Sequence, residues 1–444
     1  MHNALPVNSL PIAARCRARG AVTPLAGLLC LVLALSGCSA VGGAGAVSMT
    51  PTVASRAPAD VTPGTQQTGG VVGYLVTCES FPSQDPSSCF LRPLNASDGS
   101  PRWTLHITQH WGSLIADAQT IYVMLTDIQT GTSVLAAYNA SDGSQRWETS
   151  EADSIGPAAV TADAVYGGRR TDGRMVIGAL GAASGKSLWS TPVGQHSLRQ
   201  VIVADGRVYA RLGMAGSDGP PDDQLIVLDA ASGQTLWKAD ISGEAGPMAL
   251  ANGRLYLRVT PNGALYGDIV AYRGDTGAVL WRHTVPLQGP PNLLVATNNA
   301  VYAASSVAGD VAVPGGVATL SASSGSLLWS AHLGTTAQFF AGLVALNGVV
   351  YTATAPAGGD ALNPKAAGHL YALSAANGSI LTDHVVPEGG ILNLQASAGM
   401  LFIWTNPNAQ PLIGNLEALA PSDFSIKWKA PIDNRNAAWF QAGS

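Results

Sequence analysis

The segment from Leu225 to Trp237 reads Leu-Ile-Val-Leu-Asp-Ala-Ala-Ser-Gly-Gln-Thr-Leu-Trp and contains the unit from which most of the chain is built. An apolar run ends at an aspartate, a turn of small residues carries Gly233, and Trp237 follows four residues later. The same spacing recurs at Gly99/Trp103, Gly143/Trp147, Gly185/Trp189, Gly277/Trp281 and Gly325/Trp329. Two further units vary it, with Thr382 in the Trp place after Gly378 and Phe424 in the Gly place before Trp428. The eight units are spaced 42 to 53 residues apart, which is typical of a repeated supersecondary structure.

Within each unit the pattern indicates strands. The apolar run from Leu225 to Leu228 is typical of a strand buried on both faces, and Gly233 allows the positive φ of a short hairpin. After the turn, Trp237, Ala239 and Ile241 alternate with polar residues, as in a half-buried strand. A helical repeat of similar length is the alternative. It is disfavoured because no unit sustains an i, i+3, i+4 apolar pattern and because Gly and Pro interrupt each one.

A second signature places an aromatic residue after an aliphatic one, 19 to 22 residues beyond each tryptophan position. Turns such as Asp205-Gly206 and Asn347-Gly348 precede several of these pairs, and such turns favour hairpins. Four strands per unit and eight units predict an all-β fold, an eight-bladed β-propeller of four-stranded antiparallel blades over residues 70–444. The repeated indoles are expected to be structural docking residues in the core: Trp103, Trp147, Trp189, Trp237, Trp281, Trp329 and Trp428.

The first unit lacks an obvious innermost strand, and the last tryptophan is followed by an apolar tail at residues 436–441. We expect this tail to supply the missing strand and close the ring. Cys78 and Cys89 stand at the two ends of the loop between the first two strands of that unit. Outside the cytoplasmic membrane such a pair favours a disulfide, and two free thiols are the alternative.

The N-terminal region has the features of a secretion signal. Three arginines precede an apolar stretch of about 11 residues, which is too short to span a membrane as a helix. The stretch ends at Leu35-Ser36-Gly37-Cys38, which resembles a bacterial lipobox and implies cleavage after residue 37 and acylation of Cys38. An unmodified cysteine in an ordinary signal peptide is the alternative. Residues 1–37 are therefore predicted as a lipoprotein signal peptide, and residues 38–69, rich in Ala, Gly, Pro and Thr, as a flexible linker.

The unit Leu-x-Ala-x-x-Gly-x-x-x-Trp resembles the tryptophan-docking repeat of pyrroloquinoline-quinone-type (PQQ-like) eight-bladed propellers. Over residues 70–444 the chain is most similar to the BamB-like lipoproteins of outer-membrane protein assembly. This resemblance implies a scaffold that binds other envelope proteins, such as a β-barrel assembly component, and that works as a monomeric ring. The location it implies is the cell envelope, on the periplasmic face of an outer membrane or otherwise at the cell surface.

Insertions concentrate in the connections between second and third strands, which lie on one face together with the blade-to-blade connections. The blade-to-blade connections carry the candidate partner-binding residues. Leu198 and Arg199 lie in a stretch similar to the one through which the family binds its partner, and Glu244 corresponds to an acidic residue of the next connection. An apolar anchor beside a guanidinium is typical of an interface hot spot. An ordinary surface loop with a solvated arginine is the alternative.

Composition and motifs disfavour several other functions. Removing three arginines from 23 basic residues leaves 20 against 28 acidic residues, a formal charge of −8 for residues 38–444, which argues against nucleic acid as a partner. No Cys-x-x-Cys or helical His pair suggests a metal site.

Quinoproteins of this fold carry an adjacent cysteine pair, which this chain lacks, so no cofactor and no enzymatic activity are expected. A PQQ-dependent oxidoreductase remains one alternative. A carbohydrate- or cell-wall-binding module is another, with Trp111, Phe339 and Phe340 as stacking residues.

Overall fold

The computed structural model describes residues 61–63, 70–78, 88–127, 129–213, 222–262, 264, 266–287, 291–305, 315–333, 338–356, 367–386, 390–406, 414–432 and 437–442. The predicted signal peptide, Cys38 and most of the predicted linker lie outside these residues, as do the long connections between second and third strands. Within them every regular element is a β-strand, as the repeat predicts. No helix in this part of the chain is long and apolar enough to cross a membrane.

The strands form eight antiparallel sheets, one for each blade of a propeller. Blade 1 contains β1 (Val61–Pro63), β2 (Val71–Cys78), β3 (Cys89–Asn95), β4 (Trp103–Ile107) and β33 (Ala437–Ala442). Blades 2 to 4 contain β5 (His110–Ala116), β6 (Thr120–Thr126), β7 (Ser133–Asn139), β8 (Gln145–Glu148); β9 (Gly156–Val160), β10 (Ala164–Thr171), β11 (Arg174–Gly181), β12 (Ser187–Gly194); and β13 (Ser197–Ala204), β14 (Arg207–Gly213), β15 (Asp222–Asp229), β16 (Thr235–Ser242).

Blades 5 to 8 continue the same order. They contain β17 (Glu244–Ala251), β18 (Arg254–Thr260), β19 (Asp268–Arg273), β20 (Val279–Thr284); β21 (Leu293–Ala296), β22 (Ala300–Ser305), β23 (Gly316–Ser321), β24 (Leu327–His332); β25 (Gln338–Leu346), β26 (Val349–Pro356), β27 (Gly368–Ser374), β28 (Ile380–Val386); and β29 (Gly390–Ser397), β30 (Met400–Asn406), β31 (Gly414–Leu419), β32 (Ile426–Ile432). The predicted eight-bladed propeller of four-stranded antiparallel blades is confirmed.

The order of strands within a blade defines two faces of the ring. The first strands of neighbouring blades contact one another, so they surround the ring axis, and the fourth strands form the outer edge. Connections from second to third strands and from blade to blade lie on one side, which we call the loop face. Turns from first to second strands and the hairpins before each tryptophan position lie on the opposite side, the turn face. The buried apolar side chains form clusters between adjacent blades.

The seven repeat tryptophans dock each blade onto the next one. Each indole covers the turn glycine of the following blade, where an added Cβ would overlap the ring. Each Nε1–H also donates to the carbonyl oxygen three residues before that glycine, at 2.9–3.2 Å. The carbonyl groups, in order, belong to Ala140, Ala182, Ala230, Gly274, Ala322, Ala375 and Ala96. Burial of the ring and satisfaction of its N–H explain why this spacing recurs in the sequence.

The two departures from the repeat compensate each other. Blade 7 has Thr382 in place of the tryptophan, and blade 8 has Phe424 in place of the glycine that the tryptophan would cover. The Phe424 side chain is 3% exposed and packs edge-on against Tyr351 of blade 7, with ring centroids 6.1 Å apart. The aromatic ring between these blades is therefore supplied from the opposite side of the interface.

The C-terminal tail closes the ring as expected. β33 pairs with β2 of blade 1 in antiparallel register from Gly73/Ala442 to Cys78/Ala437. Trp428 completes the closure by donating to Ala96 at 3.0 Å, across 332 residues of sequence. The ring is thus closed both by the innermost strand and by the tryptophan repeat.

Two further features mark blade 1. Cys78 and Cys89 are directly opposite one another on β2 and β3 and form the disulfide that the sequence favoured. β1 adds a fifth strand by pairing antiparallel with β4 at the outer edge, with Val61 opposite Leu105. This strand lies inside the 38–69 segment for which the composition predicts a linker, so these three residues are an exception to that prediction.

Candidate functional site

The candidate partner-binding residues lie at the beginning of innermost strands. The sequence placed them in blade-to-blade connections, but Trp111, Leu198, Arg199, Glu244 and Phe340 belong to β5, β13, β13, β17 and β25. The register shifts close to each of these points, for example between residues 198 and 200 of β13. Because a bulge adds a residue and re-aims the side chains around it, these strand ends present side chains to the loop face.

Blades 4 and 5 hold a cluster of charged side chains at this level, which we call the charged cluster. Arg258 Nη2 lies 2.8 Å from Glu244 Oε1. The side chain of Arg258 is 8% exposed, whereas that of Glu244 is 61% exposed. Arg211 Nη1 donates to the Ala245 carbonyl oxygen at 2.8 Å, and the backbone N–H of Ala245 donates to Asp223 Oδ2 at 2.7 Å. Both guanidinium groups are therefore fixed against the start of β17.

Arg199 completes the charged cluster from blade 4. It is exposed, and its Nε lies 3.0 Å from the position of a Cβ added to Gly213, a position that is also 2.8 Å from Asp223 Oδ1. A side chain at residue 213 would therefore collide with both groups. Three guanidinium groups and two carboxylate groups of the described residues therefore lie close together at this point of the loop face.

The electrostatic environment of Arg211 reflects this crowding. Burial is the largest cause of its lowered pKa of about 10, and Arg258 and Arg199 lower it further, while Asp223 and Glu244 act in the opposite direction. Arg211 is still protonated at neutral pH, since its pKa lies well above 7. The charged cluster therefore keeps the positive charge of Arg211 at neutral pH.

Neighbouring polar contacts hold the backbone around the cluster. Gln200 Nε2 donates to the Met248 carbonyl oxygen at 3.1 Å, and the Met248 N–H donates to Gln200 Oε1 at 2.8 Å. These reciprocal bonds join the innermost strands of blades 4 and 5. The guanidinium of Arg258 lies directly over Gly246, where a Cβ would overlap it. The site is therefore built from rigid elements.

Leu198 lies beside the cluster, at the junction with blade 3. It is half-buried, and its Cδ2 lies 2.8 Å from the position of a Cβ on Gly168. Arg170 of blade 3 donates to the Gln195 carbonyl oxygen at 3.2 Å and to Ser197 Oγ at 2.9 Å, and so holds the connection that precedes Leu198. The structure thus brings Leu198, Arg199 and Glu244 to adjoining positions on one face.

The aromatic candidates do not join this site. Trp111 is half-buried on blade 2 and donates Nε1–H toward Cys78 Sγ at 3.1 Å, so it packs next to the disulfide of blade 1. Phe340 is 5% exposed and belongs to an apolar cluster. This burial contradicts its use as a stacking surface, because the ring faces the protein core. The side chain of Phe339 lies outside the described residues.

Sequence reasoning missed Arg211, Arg258 and Asp223. Both arginines occupy the same repeat position, two residues after Tyr209 and Tyr256. The other blades have apolar residues or glycine there. Aligning the eight repeats with one another would have revealed these two arginines as exceptions at an apolar position. A cation at such a position is costly to bury unless it is paired, so it indicates a nearby polar or acidic partner.

Two observations concern the metal-ligating side chains and the cysteines of the described residues. No group of three or more His, Cys, Asp or Glu side chains in this part of the chain is arranged to hold a metal ion. Cys78 and Cys89 form a cross-strand disulfide of blade 1 and are not sequence neighbours.

A closed ring of eight four-stranded blades, docked by tryptophans that cover glycines, defines the class of PQQ-like propellers. The family model described as outer membrane protein assembly factor BamB matches residues 131–219 and 221–409, more than half of the sequence. The chain belongs to this family. A comparison with curated protein sequences finds no match.

Solved structures support the fold at low sequence identity. BamB from Moraxella catarrhalis has a TM-score of 0.50 and 17% identity, over 79% of this chain and 93% of that chain. The computationally designed Ika8 protein has a TM-score of 0.51 and 16% identity, over 76% and 94%. The dihydro-heme d1 dehydrogenase NirN has a TM-score of 0.56 and 13% identity, over 86% and 80%. The architecture is thus shared by an assembly factor, a designed protein and an enzyme, so function must be argued from the site.

Proposed function

We propose that the protein is a lipid-anchored scaffold of the cell envelope that binds a protein partner through the loop face of blades 4 and 5. One observation carries this proposal: Leu198, Arg199 and Glu244, singled out in the sequence through one family resemblance, lie at adjoining positions in the fold, next to the half-buried Arg211 and the buried Arg258. Family membership supports a role in outer-membrane protein assembly, with a β-barrel assembly component as partner.

The chemistry of the charged cluster selects the kind of partner surface. Arg199 is exposed beside a half-buried leucine, so it offers a forked donor next to an apolar contact. An acidic group of the partner would form charge-assisted bonds with Arg199. The exposed Glu244, which holds Arg258 from one side only, would receive a cation of the partner. Buried arginines beneath them fix the geometry in advance.

Crosslinking in the native cells, followed by pull-down and mass spectrometry, tests this proposal. Arg199→Glu reverses the charge of the exposed guanidinium and is expected to abolish recovery of the partner. Lys238→Glu makes the same kind of change at an exposed position on the outer strand of blade 4 and should leave recovery unchanged. Partner recovery that is insensitive to Arg199→Glu would refute the site.

The lipid anchor is tested separately. Acylation at Cys38 should place the protein in the membrane fraction, and Cys38→Ser should prevent lipid labelling and maturation. Metabolic labelling with a fatty-acid analogue measures this directly. An unlabelled wild-type protein would refute the anchor while leaving the protein-binding site untouched.

A further inference from the structure

The outer rim of the turn face carries an uneven distribution of exposed aliphatic side chains. The residue just before the tryptophan position is leucine in blades 3 to 7 and arginine or lysine in blades 1, 2 and 8. The five leucines are 36% to 56% exposed: Leu188, Leu236, Leu280, Leu328 and Leu381. In blades 5, 6 and 7 the preceding residue is aliphatic and exposed as well: Val279, Leu327 and Ile380. We call these eight residues the apolar arc.

The members of the arc lie at one height along the ring axis because of the repeat. All of them follow the turn-face hairpin directly and occupy equivalent positions in their blades. In blades 6 and 7 the adjoining hairpins, residues 321–326 and 374–379, contain only Ala, Asn, Gly and Ser, so this part of the surface is uncharged. Exposed aliphatic side chains at equivalent positions of several blades are unusual for a protein exposed only to water.

A second copy of the chain does not fit this surface well. Two rings side by side would meet through their convex outer edges, so only one blade of each ring would be in contact. Such a contact buries far less surface than the roughly 1,200 Å² typical of a specific interface. Two turn faces stacked together would oppose Asp142, Asp229 and Asp423. Hydrogen bonds from nearby serines lower the pKa of all three carboxyl groups, so like charges would meet.

A bilayer surface can contact all these coplanar side chains at once. The predicted anchor, Cys38, is separated from β1 by residues 39–60, which is 22 residues and at most about 75 Å of extended chain. Val61 enters blade 1 at the loop-face end of β4, opposite Leu105. The tether then has to pass the height of a blade, about 26 Å for an eight-residue strand. Its length is sufficient for the turn face to reach the same membrane.

We propose that the apolar arc rests on the surface of the lipid bilayer that holds the anchor, with its leucine side chains inserted among the headgroups. The acyl chains that the lipobox implies would retain the protein at the membrane, and the arc would fix the orientation of the ring on it. Since the turn face also carries ionised aspartates, a zwitterionic surface fits better than an anionic one. The charged cluster then points away from the bilayer, where a partner can reach it. This inference depends on the lipid anchor of the proposed function.

The test separates the arc from the anchor. The acylated full-length mature protein, with a protease recognition sequence inserted in the linker, is reconstituted on phosphatidylcholine vesicles. The tether is then cut, and the fraction of the ring that still sediments with the vesicles is measured. We expect the wild-type ring to remain bound and the Leu328→Lys/Leu381→Lys variant to bind at least tenfold more weakly, because each leucine loses a substantial part of its transfer free energy.

The matched control is Lys427→Ser, which occupies the same repeat position in blade 8, outside the arc, and should not weaken binding. Release of the wild-type ring to the same extent as the double variant would overturn the proposal. So would a dimer, detected by light scattering, that the double variant abolishes, because the arc would then contact a second copy. Failure of the anchor gives a different result, since mass spectrometry would find no acyl chain on Cys38 and the double variant would not load onto the vesicles even before cleavage.

Discussion

The interface between blades 7 and 8 allows a direct test of tryptophan docking. Elsewhere in the ring a tryptophan of one blade covers a glycine of the next, but here Thr382 occupies the tryptophan position and Phe424 the glycine position. Restoring the repeat requires two changes, Thr382→Trp and Phe424→Gly. The introduced indole N–H would point to the carbonyl oxygen of Pro421, three residues before position 424, which already accepts a hydrogen bond from Tyr351 at 3.2 Å.

Each single change should destabilise the protein. Phe424→Gly empties a site that is 3% exposed, which costs about 3–5 kcal/mol for a phenyl ring. Phe424 has a φ of +58°, and glycine relieves about 1–2 kcal/mol of left-handed strain there. From the midpoints of these two ranges, the expected net loss is about 2.5 kcal/mol. Thr382→Trp alone forces an indole against the phenyl ring, and such overpacking costs about 1–3 kcal/mol.

The double variant should recover most of this loss, because the indole fills the space that the phenyl ring leaves. We expect its free energy of unfolding to be within about 1 kcal/mol of the wild type, and the coupling between the two changes to be about 3 kcal/mol or more. Chemical denaturation followed by circular dichroism measures the free energy of unfolding of the wild type, the two single variants and the double variant. Additive effects of the two changes would refute the view that Phe424 replaces a docked tryptophan.

Three other predictions follow from the contacts of the ring. Deletion of residues 434–444 removes β33 and should abolish cooperative unfolding, so a truncated chain with a wild-type melting curve would contradict closure by the tail. Cys78→Ser should lower stability by about 3 kcal/mol, as expected for a loop of this size, and should make the protein insensitive to reductant in the same denaturation assay. Stability should also fall as the pH rises from 10 to 12, because burial raises the pKa of several tyrosines from 10 to about 12 and the folded state then keeps protons that the unfolded state has lost. The tyrosines in question are Tyr74, Tyr122 and Tyr371, and Tyr122→Phe should make the decline less steep in a pH titration of the unfolding midpoint.

Much of the fold could be predicted because the repeat is carried by local patterns. The spacing of Gly233 and Trp237 gives both the hairpin and the docking residue, and eight copies of it give the number of blades. The closing strand could be predicted from an apolar tail and an incomplete first blade. By contrast, the strand at Val61–Pro63 is too short to produce a period-two pattern. The exchange between Thr382 and Phe424 could be noted in the sequence but explained only once the two positions were known to face each other.

The candidate site was only partly predictable, for a different reason. Arg199 and Glu244 were singled out through the resemblance to the partner-binding stretch of the family and were expected in blade-to-blade connections. Both lie instead at the beginning of innermost strands, β13 and β17. Arg211 and Arg258 lie in the middle of apolar strands, where alternation predicts buried aliphatic residues. The burial of Phe340 also could not be foreseen, because the bulge that follows it changes which side chains face inward.

Function in a ring of repeats has to arise where the repeats differ, because equivalent residues present equivalent surfaces on every blade. Blades 8, 1 and 2 differ through closure, with β33, the disulfide and β1 gathered there. Blades 4 and 5 differ on the loop face, where arginines replace apolar residues. Blades 3 to 7 differ on the turn face, where leucine replaces arginine or lysine. Because the charged cluster and the apolar arc lie on opposite faces, a partner and a bilayer can be bound at the same time, and the shared sector of blades 4 and 5 would hold the two at a fixed separation.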